Sequence, residues 1–135
     1  MSRLARLREY VADNERPIRA GAGLNALLYL PAISLSGGLF ALFVGAAGGW
    51  VAGQLTHRYG PAIRNGAVAG ALGPLVATLI VMVAGVLTRP LLAGDSLYAA
   101  GIDLLRVAPT FVPLFAVQGA VGGLAASWIV TAARR

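Results

Sequence analysis

The sequence predicts an all-α fold: an integral membrane helical bundle of about four passes in two hairpins, or three passes plus a re-entrant half-helix. Three observations lead there. Between Arg19 and His57 stand 37 consecutive residues without a formal charge. As a helix that run would extend about 55 Å, against a bilayer hydrocarbon core about 30 Å thick, so it must cross and return. Composition points the same way. Of the 135 residues, 58% are hydrophobic and 12% charged, and mean hydropathy is +0.76. A soluble domain carries about 25% charged residues. The third observation is where the charge sits. All 11 basic residues are arginine, and Arg3, Arg6, Arg8, Arg16 and Arg19 fall within the first 19 positions. Arginines that flank apolar runs act as topology anchors and contacts to anionic lipid. On that ground the sequence pI of 11.1 is not read as a nucleic-acid footprint.

The length suits one compact unit. With no cysteine in the chain, disulfides, thiolate chemistry and cysteine-ligated metals are excluded. The N-terminus does not read as a signal peptide. Its charged region includes Glu9, Asp13 and Glu15, and the apolar run that follows exceeds a signal core of about 7–15 residues.

Two regions follow: a basic amphipathic N-terminal segment, 1–19, and a transmembrane helical domain, 20–135. Residues 2–16 read as a short helix with Leu4, Leu7 and Val11 on one face, lying on the membrane surface or forming a solvated tail, and ended by Pro17. Pro31 and the string Ser34-Leu35-Ser36-Gly37-Gly38 divide the long run into an arm at about 20–34 and a pass at 37–56. The arm is short enough that re-entry is an alternative to crossing. His57-Arg58-Tyr59-Gly60-Pro61 makes a polar turn. A third pass runs from about 62 to 88, kinked near Gly73-Pro74 and stopped by Arg89-Pro90. Residues 91–106, with Asp95, Asp103 and Arg106, read as a surface loop holding a short helix. Pro109 and Pro113 open the last pass, which ends at Arg134-Arg135.

The positive-inside rule sets the orientation. The N-terminal segment, the turn with Arg58 and Arg64, and Arg134-Arg135 are basic, whereas 89–106 balances two arginines against two aspartates. The first three are expected on the cytoplasmic side of a prokaryotic plasma membrane, with both termini cytoplasmic. An even number of crossings between 20 and 56 follows. Trp50 and Trp128 are expected near that same interface.

A motif recurs. Gly45-Ala46-Ala47-Gly48-Gly49-Trp50-Val51-Ala52-Gly53 returns as Gly119-Ala120-Val121-Gly122-Gly123-Leu124-Ala125-Ala126-Ser127, five of nine positions identical at an offset of 74. A duplicated two-pass unit in parallel orientation would produce this; so would chance in a chain rich in glycine and alanine. Small residues also recur every four: Gly37, Ala41, Gly45, Gly49 and Gly53; Ala62, Gly66 and Gly70; Gly119, Gly123 and Ser127. Residues four apart share a helix face, and a face without side chains lets another backbone approach closely. Gly45, Gly49, Gly53, Gly66, Gly70, Gly119 and Gly123 are therefore the expected helix-packing set. Their partner could be another pass, a second copy or a different protein.

Chemistry-bearing residues are few. His57, paired with Gln54 in a Gln-x-x-His spacing, lacks companion ligands for a metal, and no cofactor is expected. Asn25, Gln54 and Gln118 are uncharged polar residues within apolar passes. They suit interhelical hydrogen bonds, or the lining of a polar path. Arg64-Asn65 reads as an anchor or a lipid-phosphate contact. Asp95 and Asp103 read as solvated loop charges. No nucleophile–base set is present. The leading expectation is a non-enzymatic membrane protein acting through its glycine stripes, as a homo-oligomer or a small accessory subunit of a larger complex. Its partners are then the lipid bilayer and either itself or another membrane protein. A small transporter or channel, and a holin-like membrane-lesion protein, are the alternatives.

The strings Asn25-Ala26-Leu27, Gly48-Gly49-Trp50-Val51-Ala52-Gly53-Gln54-Leu55 and Arg64-Asn65-Gly66-Ala67-Val68-Ala69-Gly70-Ala71-Leu72 together resemble a group of small glycine-rich prokaryotic membrane proteins of unknown function, many of them haloarchaeal. The likeness covers about residues 24–73. It implies a multi-pass fold and brings no catalytic residues.

Overall fold

A computed structural model describes residues 2–36, 41–56, 58–88 and 94–134. The described chain is helical in five segments: α1 (Arg3–Asp13), α2 (Glu15–Ser36), α3 (Ala41–Gln54), α4 (Tyr59–Leu87) and α5 (Gly94–Ala133). By length and composition α4 and α5 could cross a membrane. Gly37-Gly38, Phe40, His57, Arg89-Pro90 and Arg135 lie outside the described residues.

Ser2 caps α1, its hydroxyl accepting from Ala5 N at 3.2 Å. The chain turns at Asn14, not at Pro17 as expected. Pro17 is the third residue of α2, where a helix spends no hydrogen bond on the missing N–H. Pro31 does not end α2 either. Its side chain and Leu27, whose carbonyl loses its bond, are both exposed, so the ring meets no neighbour there. The expected 15-residue arm is thus a 22-residue helix, about 33 Å long. Pro74 sits inside α4 four residues after Gly70, and the Pro74 carbonyl accepts from Thr78 Oγ1 at 2.8 Å.

The largest departure is at α5. The expected loop over 91–106 is helix from Gly94 onward, and Pro109 and Pro113 fall inside a 40-residue helix of about 60 Å. These two prolines stand four apart on one exposed face, where the ring clash falls outward. The charged turns belong to the helix because Asp103 and Arg106, both exposed, pair at 3.3 Å across i,i+3, and Asp95 suits the positive N-terminal end. The inner side of those turns packs tightly on α4. A Cβ on Gly101 would overlap Met82, and one on Gly85 would press on the Tyr98 backbone.

Pairwise contacts fix the directions. Gly21 meets Ala52 while Asn25 meets Gly48, so α2 and α3 are antiparallel. Gly123 meets Ala62, Gly119 meets Gly66 and Gly101 meets Met82, so α4 and α5 are antiparallel. The helices α2 to α5 therefore alternate up and down. Asn14, the α3–α4 turn and the C-terminal end of α5 fall at one end of the bundle. Arg6, Arg16, Arg19, Arg58, Arg64 and Arg134 belong to that end. Trp50 N lies beside Gly122, which puts Trp128 six residues, about 9 Å, further along the bundle axis.

A polar cluster closes this basic end. Asn65 is fully buried. Its Oδ1 accepts from the Tyr10 hydroxyl at 2.7 Å, and its Nδ2 donates to Thr56 Oγ1 at 2.9 Å and to Asn14 Oδ1 at 3.2 Å. One amide thus ties α1, the α1–α2 turn and the α3–α4 turn to α4. Burial holds the Tyr10 phenol above its ordinary pKa, while nearby Arg64 pulls it the other way. A raised folded value means the clip is fully in place below about pH 10 and is lost as the pH climbs through that value. Asn65→Ala should cost about 2–3 kcal/mol and release α1, whereas Tyr10→Phe should cost about 1 kcal/mol. Thermal unfolding in detergent and trypsin cleavage within the first 19 residues would measure both.

Candidate functional site

The seven glycines of the expected packing set come together inside the chain. In α5, Gly119 is the meeting point. A Cβ on Gly49 of α3 would overlap the Gly119 backbone, and one on Gly119 would overlap the Gly66 carbonyl of α4. One turn away the pattern repeats: Gly53 faces Gly123, and Gly123 faces Ala62. A turn in the other direction, Gly45 lies against Phe115 and Gln118, and Gly70 lies against the Phe115 carbonyl. Backbones this close exchange Cα–H···O contacts and dense van der Waals contact.

Contacts at 49–119 and 53–123 run in the same sense, so α3 and α5 are parallel. The two copies of the repeated motif therefore lie against each other. They are one turn out of exact correspondence: the sequence offset is 74, and the contact offset is 70.

Asn25 joins α2 to this junction. It is fully buried. Its Oδ1 accepts from Gly48 N at 2.8 Å, and its Nδ2 donates to the Ala69 carbonyl at 3.2 Å. The side chain occupies the space left by two more glycines, since a Cβ on Gly48 or Gly73 would overlap it. An amide buried among apolar helices is tolerated when both of its ends are satisfied. Here it reaches two helices at once. Gly21 lets α2 lie on α3 and α4, as a Cβ there would overlap the Gly48 carbonyl.

The three residues considered for a polar path do not converge. Asn25 sits between α2, α3 and α4. Gln118 lies on α5, its Oε1 buried beside Gly45 with no hydrogen-bond partner among the described residues. Gln54 is exposed at the end of α3. Asp95 and Asp103 are exposed on the first turns of α5.

Sequence reasoning missed Asn65 as a buried residue, treating it with Arg64 as an anchor. The signal was its register. Asn65 falls on the stripe Ala62, Gly66, Ala69, Gly70, Gly73, Ala77, all buried, whereas Arg64, one residue earlier, points outward. Gly21, Gly48, Gly73 and Gly122 were likewise part of the close-approach set. The arrangement holds four helices at backbone contact.

Gly119→Ala should force α4 and α5 apart and cost several kcal/mol, of the order of about 2–4. Gly23→Ala, at an α2 glycine with open space around it, should instead gain up to about 1 kcal/mol from helix propensity. Gln118→Leu deletes an unsatisfied acceptor and should be neutral within about 1 kcal/mol, while Asn25→Leu should be strongly destabilising. Thermal denaturation in one detergent would rank all four.

No family model matches the chain, no curated protein matches it, and no solved structure matches it.

Proposed function

We propose that this chain is a non-enzymatic integral protein of a prokaryotic plasma membrane. In this reading α2 to α5 are four crossings, both termini are cytoplasmic, and the protein works as a homo-oligomer or a small accessory subunit of a larger membrane complex. One observation carries the membrane reading. The most apolar windows of α4 and α5 are each only 33% buried, and their outward residues are large aliphatics such as Leu79, Val83, Val117 and Val121. A core helix of a soluble protein would hide those side chains; a lipid-facing helix presents them. The alternating helix directions and the arginines gathered at one end support the even-crossing layout.

The glycine ridges are occupied by one another within the chain. An association surface would therefore be formed by the outer aliphatic faces, and the glycines would serve it indirectly by fixing the shape of the bundle.

The chain has no cysteine, so single-cysteine variants give a clean test. In right-side-out and inverted vesicles, Ser2→Cys, Arg58→Cys and Arg134→Cys should label together from the cytoplasmic side, and Ser96→Cys from the other. Labelling of Arg58→Cys on the side opposite Ser2→Cys would overturn the four-crossing layout. Cross-linking in native membranes should give a ladder of self-adducts or one discrete adduct with another protein. A chain that stays monomeric and alone would overturn the oligomer and subunit reading.

A further inference from the structure

At the basic end an open groove of about 430 Å³ runs between α1 and α4. Arg6, Leu7 and Tyr10 line one wall; Arg64, Ala67 and Val68 line the other. Its two charged residues have the same sign. Among the described residues, neither Arg6 nor Arg64 lies within ion-pair distance of a carboxylate. Tyr10 does not supply a negative partner, because its hydroxyl is protonated and committed to Asn65. The rest of the lining is apolar. Glu9 faces away, on the other side of α1, with Leu4, Ala5 and Arg8.

The groove also has a direction. Steps of three and four residues along α4 lead from Arg64 through Val68 to Leu75, Leu79 and Val83, all three of which are exposed. A pair of guanidinium groups thus opens onto an apolar track along the side of the bundle. Guanidinium matches a phosphate with paired N–H donors, and the track matches a hydrocarbon chain. A soluble anion would use the arginines and leave the track empty.

We propose that the α1–α4 groove seats one anionic phospholipid, its phosphate between Arg6 and Arg64 and an acyl chain along α4. This rests on the membrane reading above. It also gives the docked α1 a role: Asn65 holds Tyr10, and Tyr10 holds Arg6 opposite Arg64.

The test uses the full chain reconstituted into phosphatidylcholine vesicles containing a minor share of phosphatidylglycerol, then released gently for native mass spectrometry. Each arginine beside an anionic headgroup is worth about a factor of five, so one phosphatidylglycerol per chain should be retained, enriched about twenty-five-fold over phosphatidylcholine. Arg6→Gln/Arg64→Gln should abolish the enrichment. Arg3→Gln/Arg134→Gln, which removes the same charge outside the groove, should keep it. Equal retention by the two double variants would overturn the site. Displacement of the lipid by excess glycerol phosphate would overturn the acyl-chain assignment. Alkali-resistant insertion into pure phosphatidylcholine vesicles reports the membrane reading separately. A chain that inserts but retains no phosphatidylglycerol sinks only the groove, and a chain that does not insert sinks both.

Discussion

Backbone-to-backbone contact at Gly119 is the constraint on which the bundle depends. Two helices approach the same residue from different sides, α3 through Gly49 and α4 through Gly66. Neither approach leaves room for a methyl group. Glycine in a helix interior costs about 1 kcal/mol relative to alanine in water, and 18 glycines in a chain of this length would be a heavy burden for an isolated helix. The cost is offset only where the missing side chain is replaced by another helix, as it is at twelve described positions on α3, α4 and α5. Close packing then does what the hydrophobic effect does in water. It sets which helices are neighbours and how near they lie.

The polar side chains are arranged around that junction and not within a channel. Asn25 and Asn65 are each fully buried and each reaches across helices. They lie at different heights, Asn25 about two turns further into the bundle than Asn65. Asn25 completes the four-helix core by drawing α2 onto α3 and α4. Asn65 closes the basic end and positions α1. Asn25 occupies the place that Gly48 and Gly73 leave open, so there the polar and the bare positions form one design. Aromatic packing fills the remaining space at the other end, where Tyr29 meets Phe115 edge-on with centroids 5.6 Å apart.

Much of this was legible in the sequence because it was periodic. The spacing of four named the packing residues, the repeated nine-residue string anticipated that α3 and α5 run in the same direction though not that they pair, and the α4 boundaries were found within three residues. What escaped reading depended on facing. A proline reads as a helix end, yet Pro31, Pro109 and Pro113 sit on exposed faces, where each ring crowds only its own helix and the strain falls outward. Asp103 and Arg106 read as loop charges, yet they pair on the outside of a helix whose inner side packs through Gly101. Asn65 reads as Arg64's companion, though a single residue step rotates it by about 100° from solvent to core. The faces of α5 and α2 are decided by neighbours distant in sequence, and no local pattern records them.

Bare ridges specify separation but are indifferent to height. Two smooth rails can slide by a full turn and still touch, and a doubled motif makes the slipped and unslipped registers nearly alike. Phe115 breaks that tie. It is 1% exposed, seated under Gly45 and Gly70 and against Tyr29, and a slide of α5 would pull it from that seat. The same aromatic ring that fills the core is thus the detent that locks the bundle's vertical alignment.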